Sequence, residues 1–230
     1  SSSLAEILTR KNLDENSAKL FLNPTKIPYH DPFLLKDMEK ACQRLLLALK
    51  NKEKICIYGD YDVDGVSSTA LLMTVFTKLG FNIDYYLPDR HSEGYGLHIE
   101  SLQKLIPKYD LLITVDCGIT ALDEVDYAKD KIDMIITDHH LPREILPDAF
   151  AIINPTQTQC NYPNKNLCGV GVAFKLCQGL YQSLNKDIHE LENYLDIVAL
   201  GTIADIVPLV DENRRIVKKG LANIQNLGIK

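Results

Sequence analysis

The sequence lacks several features that would place it in a familiar class. Its six cysteines never occur with C-x-x-C spacing and several lie in apolar surroundings, which predicts reduced, buried thiols rather than a zinc knuckle or a disulfide framework. No run reaches the roughly 18 apolar residues that a membrane span requires. There is no internal repeat and no low-complexity tract. These absences favour a globular, cytoplasmic protein without a membrane partner.

The sequence also lacks an excess of basic residues. It contains 25 Lys and Arg against 31 Asp and Glu, for a formal net charge of −6. Because phosphate binding rests on Lys and Arg, this balance by itself disfavours a nucleic-acid partner. Two divalent ions held by the acidic residues would offset most of the negative charge. The composition is therefore compatible with binding to nucleic acid if the acidic residues form a metal site.

The chain does contain a clear change of pattern near residue 51. Residues 4–50 predict helices interrupted by prolines, with the longest helix at 33–49. From residue 54 onward, runs of Ile, Leu and Val alternate with helical patterns, which is typical of parallel strands buried on both faces. The prediction is an α/β fold, a doubly wound, mainly parallel sheet flanked by helices, with an N-terminal helical extension.

The predicted elements of this sheet follow one another at regular spacing. The strands are predicted at 54–58, 82–87, 110–115, 132–137 and 149–153. The helices between and after them are predicted at 66–79, 97–106, 121–129, 170–184, 188–206 and 214–227. Residues 154–169 are predicted to form a loop long enough to have a function.

Acidic and imidazole side chains follow three of the predicted strands. They are Asp60, Asp62 and Asp64 after the first strand, Asp116 after the third, and Asp138, His139 and His140 after the fourth. Since ligands bind beyond the carboxyl ends of the strands in open α/β sheets, these side chains are expected to meet at one edge. Asp205 is a further lone carboxylate in an apolar helical segment, where a cation would supply its missing partner.

This set of side chains predicts a metal site. Carboxylates with one or two imidazoles suit Mn²⁺ or Mg²⁺ better than the thiolate-rich sites that hold structural zinc. There are more acids than one ion requires. The sequence therefore predicts two ions roughly 3.5–4 Å apart, the usual device for hydrolysing phosphoryl esters.

Residues 60–65 alone fit other chemistries. An EF-hand loop would need Glu at its twelfth position, where the sequence has Leu71, and a helix in front instead of a strand. A haloacid-dehalogenase-type phosphatase would use Asp62 as a covalent nucleophile but leaves Asp60 and the Asp-His-His segment without a role. Asp60 or Asp116 taken singly could simply cap the following helix.

Four ordered segments carry a family resemblance. They are 58–65 (YGDYDVDG), 115–120 (VDCGIT), 137–140 (TDHH) and 201–209 (GTIADIVPL). Together they resemble the motifs of the DHH phosphoesterase superfamily, and segments 88–97 and 168–176 resemble its RecJ-like exonuclease branch. The resemblance covers nearly the whole chain. It departs from the pattern at Tyr58, where many distant superfamily members carry His, and Asp60 is a candidate substitute.

The resemblance implies a role for each residue of the site. One metal would be held by Asp64, Asp116, His139 and Asp205, and a second by Asp60, Asp62 and Asp116, so that Asp116 bridges the two ions. The catalytic group would be Asp116 with His140, which would meet the scissile phosphate or the leaving oxygen, and Asp138, which would orient a histidine.

Each residue that is a candidate for binding the substrate also has an alternative explanation that involves no substrate. Arg90 would pair with a phosphate or lie exposed in solvent. Gly94, Gly96, Gly169 and Gly171 would let backbone N–H groups approach a phosphate or a base, or would serve only as turn residues. His91 and His98 are expected at the surface. The basic residues in 214–219 are expected on a solvated helix face, with a DNA contact as the alternative.

The resemblance implies a metal-dependent phosphodiesterase, a RecJ-like exonuclease core that hydrolyses single-stranded DNA from 5′ to 3′. A single-stranded-DNA-binding protein and a helicase would be its partners. The alternatives are a nano-RNase or cyclic-dinucleotide phosphodiesterase of the same superfamily, against which segments 88–97 and 168–176 argue, and a non-catalytic replication scaffold, against which the complete ligand set argues.

The expected domains are a helical extension at 1–50, a DHH catalytic domain at 51–210, and at 211–230 the start of a helix that connects to a C-terminal domain. The chain would then be the catalytic half of an enzyme, with weak, poorly processive cleavage.

Overall fold

The computed structural model describes residues 2–90 and 93–227 of the 230. The N-terminal extension contains α1 (Ser2–Arg10), α2 (Glu15–Leu22) and two short 3₁₀ turns, Pro24–Lys26 and Pro32–Leu34, and leads into α3 (Met38–Asn51). A helical extension was predicted, and the described residues confirm it. Among all the described residues, from 2–90 and 93–227, no helix has the length and apolarity that crossing a bilayer requires.

Five parallel strands form one sheet in the order β2-β1-β3-β4-β5. The strands are β1 (Lys54–Tyr58), β2 (Asn82–Tyr86), β3 (Leu111–Val115), β4 (Asp133–Thr137) and β5 (Ala151–Ile153). β3 is buried at every position, because helices cover both of its faces. The doubly wound, parallel α/β class predicted from the Ile, Leu and Val runs is therefore confirmed.

Helices divide the core into two parts, one on each face of the sheet. The larger core lies under α3, α4 (Val63–Leu79) and α7 (Gly169–Ser183), and the smaller lies under α5 (Ile99–Leu105) and α6 (Leu122–Ala128). α8 (Leu195–Ala204) packs on α4, and α9 (Asp211–Leu227) packs on α8. The chain leaves the neighbouring strands β1 and β3 toward opposite faces, which opens a crevice between their carboxyl ends.

α4 begins earlier than predicted. It starts at Val63 instead of residue 66, because the Asp62 carboxylate accepts a hydrogen bond from the Gly65 N–H at 2.9 Å and so caps the helix. This start places Asp64 in the first turn of the helix. The three aspartates after β1 therefore lie on a strand-to-helix turn and not on a longer loop.

Two other predicted helices are divided. The helix predicted at 33–49 begins only at Met38, because Asp31 and Pro32 start a separate 3₁₀ turn and Asp37 has a positive φ of 62°. The helix predicted at 188–206 is a 3₁₀ segment, Ile188–Tyr194, followed by α8. As a result Asp205 is the residue that ends α8 and is not inside a helix.

The basic residues of α9 hold the N-terminal extension in place. Arg215 is only 9% exposed and donates to the Ile27 carbonyl at 2.6 Å and to Glu192 at 2.8 Å. Arg214 donates to the Phe21 carbonyl at 3.0 Å. The expectation of a solvated face is wrong for Arg215, because the extension and the 3₁₀ segment cover it. The predicted domain boundary at residue 210 stays a prediction.

Candidate metal centre

The turn from β1 into α4 supplies three carboxylates with different surroundings. Asp60 is 1% exposed and Asp64 is 2% exposed, whereas Asp62 is exposed at the start of the helix. The alternate spacing that was conspicuous in the sequence thus places two of the three acids in the protein interior. Buried carboxylates are costly unless a cation or hydrogen bonds compensate them.

The N-terminus of α7 holds Asp64. The Gly169 N–H donates to Asp64 Oδ2 at 2.5 Å, and the Val170 N–H donates to Oδ1 at 2.8 Å. A Cβ atom at Gly169 would lie 2.6 Å from Oδ1 of Asp116. Only glycine therefore lets the positive end of α7 reach this carboxylate while leaving room for Asp116.

Asp116 follows β3 and is buried, with a left-handed φ of 61°. It lies against His139, and the distance between Asp116 Oδ1 and His139 Nε2 is 3.1 Å. The same nitrogen lies 3.9 Å from Asp64 Oδ2 and 3.7 Å from Asp205 Oδ2. One imidazole nitrogen is thus surrounded by carboxylate oxygens from the first turn of α4 and from the ends of β3 and α8.

Asp138 lies beside this cluster and forms hydrogen bonds with the backbone around it and with the neighbouring histidine. Its Oδ2 accepts from the Ile119 N–H at 2.9 Å. Its Oδ1 accepts from the His139 N–H at 2.7 Å and lies 2.7 Å from His140 Nδ1. The contact with Nδ1 fixes the direction of the His140 ring.

The loop at 154–168 supports the same histidine from outside. Asn154 Nδ2 donates to the His140 carbonyl at 2.9 Å, and Lys165 Nζ ties the loop together through the Pro155 carbonyl at 2.7 Å and the Cys160 carbonyl at 2.8 Å. The loop predicted to be functional therefore helps to hold the Asp-His-His segment.

The electrostatics of the site disfavour charge on most of its acids. Burial raises the pKa of Asp116, and repulsion from neighbouring carboxylates raises it further. Burial also raises the pKa of Asp64, although the α7 N–H groups and His139 offset part of that effect. Burial likewise raises the pKa of Asp205. Burial is the largest single influence on Asp138 and acts the same way, but the hydrogen bond and charge of His140, together with the N–H groups of Ile119 and His140, outweigh it and lower the pKa of that carboxyl. The bond to Asp138 in turn raises the pKa of His140 to about 9.

The predicted ligands come together in groups that fit divalent ions. Ligand atoms lie within 4.8 Å of one another in three sets: Asp60, Asp62 and Asp116; Asp64, His139 and Asp205; and Asp116, His139 and His140. Among the residues that the structure describes, Asp60 Oδ1, Asp116 Oδ1 and Asp205 Oδ2 are buried without a hydrogen-bond partner. Unpaired carboxylate oxygens beside an imidazole form a donor set that suits Mn²⁺ or Mg²⁺.

Tyr58, which stands where many distant relatives carry His, is not among these groups. It is buried in β1, and its hydroxyl donates to the Gly96 carbonyl at 3.0 Å. Asp60, two residues later, is the acid that the structure brings next to Asp62 and Asp116.

The candidates for substrate binding lie in two places. Arg90 lies 5.5 Å from the centre of the Tyr61 ring, on the rim of the site. Gly94 and Gly96 have positive φ values of 84° and 90°. Gly169 and Gly171 are buried in α7, and Gly169 already donates its N–H to Asp64. Direct contacts between these residues and a substrate stay predictions.

Two histidines, His91 and His98, were predicted to lie at the surface. His91 lies outside the described residues. His98 is half-buried, and its Nε2 atom is buried without a hydrogen-bond partner in the described part of the chain. The expectation of a surface residue therefore holds for His98 only in part, because the residue is half-buried and its Nε2 atom is buried.

Tyr95 is a residue of the site that the sequence analysis missed. Its hydroxyl donates to the Asp116 carbonyl at 3.2 Å and lies 3.1 Å from His140 Nδ1. The feature of the sequence that could have identified Tyr95 is its position between two glycines, Gly94 and Gly96. Tyr95 carries no charge and does not follow a predicted strand, which were the features used to select candidate site residues.

Comparison with known proteins agrees with this geometry. Residues 54–202, more than half of the chain, match the DHH family, N-terminal domain. The chain belongs to the DHH family. The matched region begins at β1 and ends in α8, so it contains the Asp-rich turn, Asp116 and both histidines. The family resemblance inferred from four motifs is confirmed.

The DHH relatives most similar to the chain include RecJ proteins. The single-stranded-DNA-specific exonuclease RecJ of Bacillus subtilis (strain 168) is 44% identical over 233 residues, which cover 99% of this chain and 29% of the relative. A crystal structure of exonuclease RecJ bound to manganese matches with a TM-score of 0.77 and 37% identity, covering 84% of this chain and 49% of that one.

A crystal structure of RecJ from Thermus thermophilus in complex with Mn²⁺ matches with a TM-score of 0.77 and 30% identity, over 98% of this chain and 34% of that one. The chain thus spans only part of the length of the RecJ proteins that it resembles.

Proposed function

We propose that this DHH chain is the core of a metal-dependent phosphodiesterase that hydrolyses single-stranded DNA. The observation that carries the proposal is the convergence of three buried carboxylate oxygens, on Asp60, Asp116 and Asp205, that have no hydrogen-bond partner among the described residues. Burying such groups is unfavourable unless a cation compensates them. A site built this way is explained by bound metal and has no evident structural purpose.

The proposal assigns each acid to an ion. Asp64, Asp116, His139 and Asp205 hold one Mn²⁺ or Mg²⁺, and Asp60, Asp62 and Asp116 hold the second. Two ions bound there would supply positive charge that polarises a phosphate and lowers the pKa of water. Asp116 is the shared ligand, in keeping with its position between the two groups of ligand atoms.

The remaining residues position the substrate and move its protons. The Nδ1 atom of His140 lies 2.7 Å from Asp138 Oδ1, so the hydrogen on Nδ1 points to Asp138 and Nε2 is left for the scissile phosphate or the leaving oxygen. Asp138 keeps the ring in this orientation, as carboxylates commonly do for functional histidines. Arg90 and the N–H groups near Gly94 and Gly96 are proposed to contact the strand.

Single-stranded DNA is the proposed substrate because the relatives that cover 95% or more of this chain at over 40% identity are named single-stranded-DNA-specific exonuclease RecJ. Hydrolysis from 5′ to 3′, work in the cytoplasm beside a single-stranded-DNA-binding protein and a helicase, and a following C-terminal domain stay predictions. Weak, poorly processive cleavage by the chain alone also stays a prediction.

A Mn²⁺ titration with four substrates side by side tests the proposal. The substrates are end-labelled single-stranded DNA, duplex DNA, an RNA dinucleotide and a cyclic dinucleotide. We expect Mn²⁺-dependent shortening of the single strand from its 5′ end and little cleavage of the duplex. Preferential hydrolysis of either dinucleotide would favour the other phosphodiesterases of the superfamily, and Mn²⁺ binding without cleavage of any substrate would favour a scaffold.

A further inference from the structure

Residues 93–96 form a short arm that is fixed at both ends. At one end the Glu93 carboxylate accepts hydrogen bonds from the Tyr86 and Ser101 hydroxyls, each at 2.5 Å. At the other end the Gly96 carbonyl accepts from the buried Tyr58 hydroxyl at 3.0 Å. Hydrogen bonds to a carboxylate are among the stronger ones, so the arm has a defined position over the end of β1.

Glycines set the conformation of this arm. Gly94 and Gly96 have φ values of 84° and 90°, which side chains with a Cβ rarely adopt. A Cβ at either position would meet no described atom within 4 Å, so glycine is required by the backbone and not by space. The arm is thus shaped to present the one side chain between them, Tyr95.

The Tyr95 hydroxyl joins two parts of the metal centre. It donates to the Asp116 carbonyl at 3.2 Å, on the residue whose φ is 61°. Its oxygen lies 3.1 Å from His140 Nδ1 and 3.5 Å from His140 Nε2, so it contacts the ring beside both nitrogens. The Nδ1 atom also lies 2.7 Å from Asp138 Oδ1, and this carboxylate is the acceptor for the Nδ1 hydrogen.

Packing does not explain this placement. Tyr95 is 47% exposed, and its ring meets the His140 ring edge to face, with 5.7 Å between the ring centres. A half-exposed ring on a glycine-flanked arm contributes little to the core. What the arrangement does provide is a hydroxyl fixed between the bridging ligand and the histidine.

We infer that Tyr95 is a positioning residue, whose hydroxyl sets the distance between His140 and the turn that carries Asp116. The inference rests on the proposed function, since phosphodiester hydrolysis gives that distance its chemical meaning. A histidine that contacts the phosphate can assist hydrolysis only if its distance from the proposed metal ligands is maintained. Tyr95 acts on the reaction through His140 and not as a metal ligand.

A double-mutant cycle tests this. In single-turnover cleavage of single-stranded DNA with Mn²⁺, we expect Tyr95→Phe to lower the rate roughly 10- to 100-fold. The Mn²⁺ affinity, the melting temperature and the KM should stay near wild-type values, which a purely structural role would not predict. In a His140→Ala background the same substitution should change the rate less than about twofold. The matched control is Tyr85→Phe, at a tyrosine on β2 that is 53% exposed.

A rate for Tyr95→Phe equal to that of Tyr85→Phe would overturn the inference, and so would a full additional loss in the His140→Ala background. A second measurement separates this from the proposed function. In the Mg²⁺-loaded protein the ¹⁵N signals of the His140 ring should shift in Tyr95→Phe and not in Tyr85→Phe. If the wild-type chain cleaves no phosphodiester, the proposed function fails, while an unshifted His140 signal contradicts the role of Tyr95 whether or not cleavage occurs.

Discussion

Asp116 combines a strained backbone with a buried carboxylate. Its φ of 61° lies in the left-handed region, which costs a non-glycine residue on the order of 1 kcal/mol. Its carboxylate is buried among other acids, and one oxygen has no hydrogen-bond partner in the described part of the chain. Strain of this kind persists where the surroundings impose it, and here it places a carboxylate beside the two groups of proposed metal ligands.

The substitution Asp116→Asn separates metal binding from folding. Asparagine tolerates the left-handed backbone but lacks the charge that a bridging ligand needs. We expect Mn²⁺ binding, measured by calorimetry, to weaken at least about tenfold. We also expect the melting temperature of the metal-free protein at neutral pH to rise, because the substitution removes a carboxyl whose pKa is raised by burial and by neighbouring acids, and such a group destabilises the folded state above its ordinary pKa.

Asp130→Asn is the matched control for this prediction. Asp130 also has a φ of 61°, but it is exposed on the turn after α6. Its substitution should leave Mn²⁺ affinity and the metal-free melting temperature unchanged. Equal behaviour of the two variants would refute the role given to Asp116.

Ile206 shows strain without a buried contact. It follows Asp205 at the end of α8, has a φ of 58° and is 88% exposed. A helix commonly ends with glycine in this conformation. Ile206→Gly should therefore raise the free energy of unfolding by about 0.5–1 kcal/mol in a urea titration, since relief of strain exceeds the entropy lost by glycine. Ile145→Gly, at an isoleucine that is 71% exposed and has no positive φ, should not stabilise the protein.

At the scale of elements, the centre depends on α7 approaching the turn between β1 and α4. The approach is possible because residue 169 has no side chain, as a Cβ there would lie 2.6 Å from Asp116 Oδ1. The first N–H groups of α7 then compensate the buried charge of Asp64.

Gly169→Ala tests this dependence. The added methyl group must displace either α7 or the Asp116 carboxylate, and we expect Mn²⁺ affinity to fall about tenfold or more with some loss of stability. Gly171→Ala lies on the same helix, and its Cβ would meet the flexible Leu167 side chain at 3.2 Å. The control variant should keep the Mn²⁺ affinity of the wild-type protein. If both variants lose affinity, the loss is due to any alanine in this turn of α7, and the specific role given to Gly169 is contradicted.

The elements and residues that could be predicted from the sequence are those that depend on neighbouring residues in the chain. The strands were predictable because Ile, Leu and Val runs reflect burial on both faces, and the acids were recognisable because they follow strand ends. The division of the helix predicted at 188–206, the burial of Arg215 and the contact of Tyr95 depend on residues distant in the chain. Hydrophobic periodicity carries no information about such contacts.

At the scale of the whole molecule, one buried ion pair joins the N-terminal extension, α7 and α9. Lys175 Nζ lies 3.3 Å from Glu212 Oε2, with both side chains fully buried, and donates to the His30 carbonyl at 2.7 Å. The Tyr162 hydroxyl donates to the other oxygen of Glu212. The extension is thus tied to the domain by a network that is satisfied only when every member is present.

Lys175→Met should be severely destabilising, because it leaves the Glu212 carboxylate buried without a charge partner. We expect a loss of about 3–5 kcal/mol in urea unfolding and a smaller loss when Glu212→Gln is combined with it. Lys78→Met is the control, because the Lys78–Glu190 pair is about half exposed on both sides and should contribute nothing measurable. A double variant as unstable as Lys175→Met alone would contradict this account.

The central claim, that the edge of this sheet holds two divalent ions with Asp116 between them, has one direct test. Crystals of the protein soaked in Mn²⁺ should give two anomalous scattering peaks roughly 3.5–4 Å apart. One peak should lie among Asp64, His139 and Asp205 and the other between Asp60 and Asp62, with Asp116 contacting both. No peak at this edge, or a single ion that Asp116 does not contact, would contradict the account.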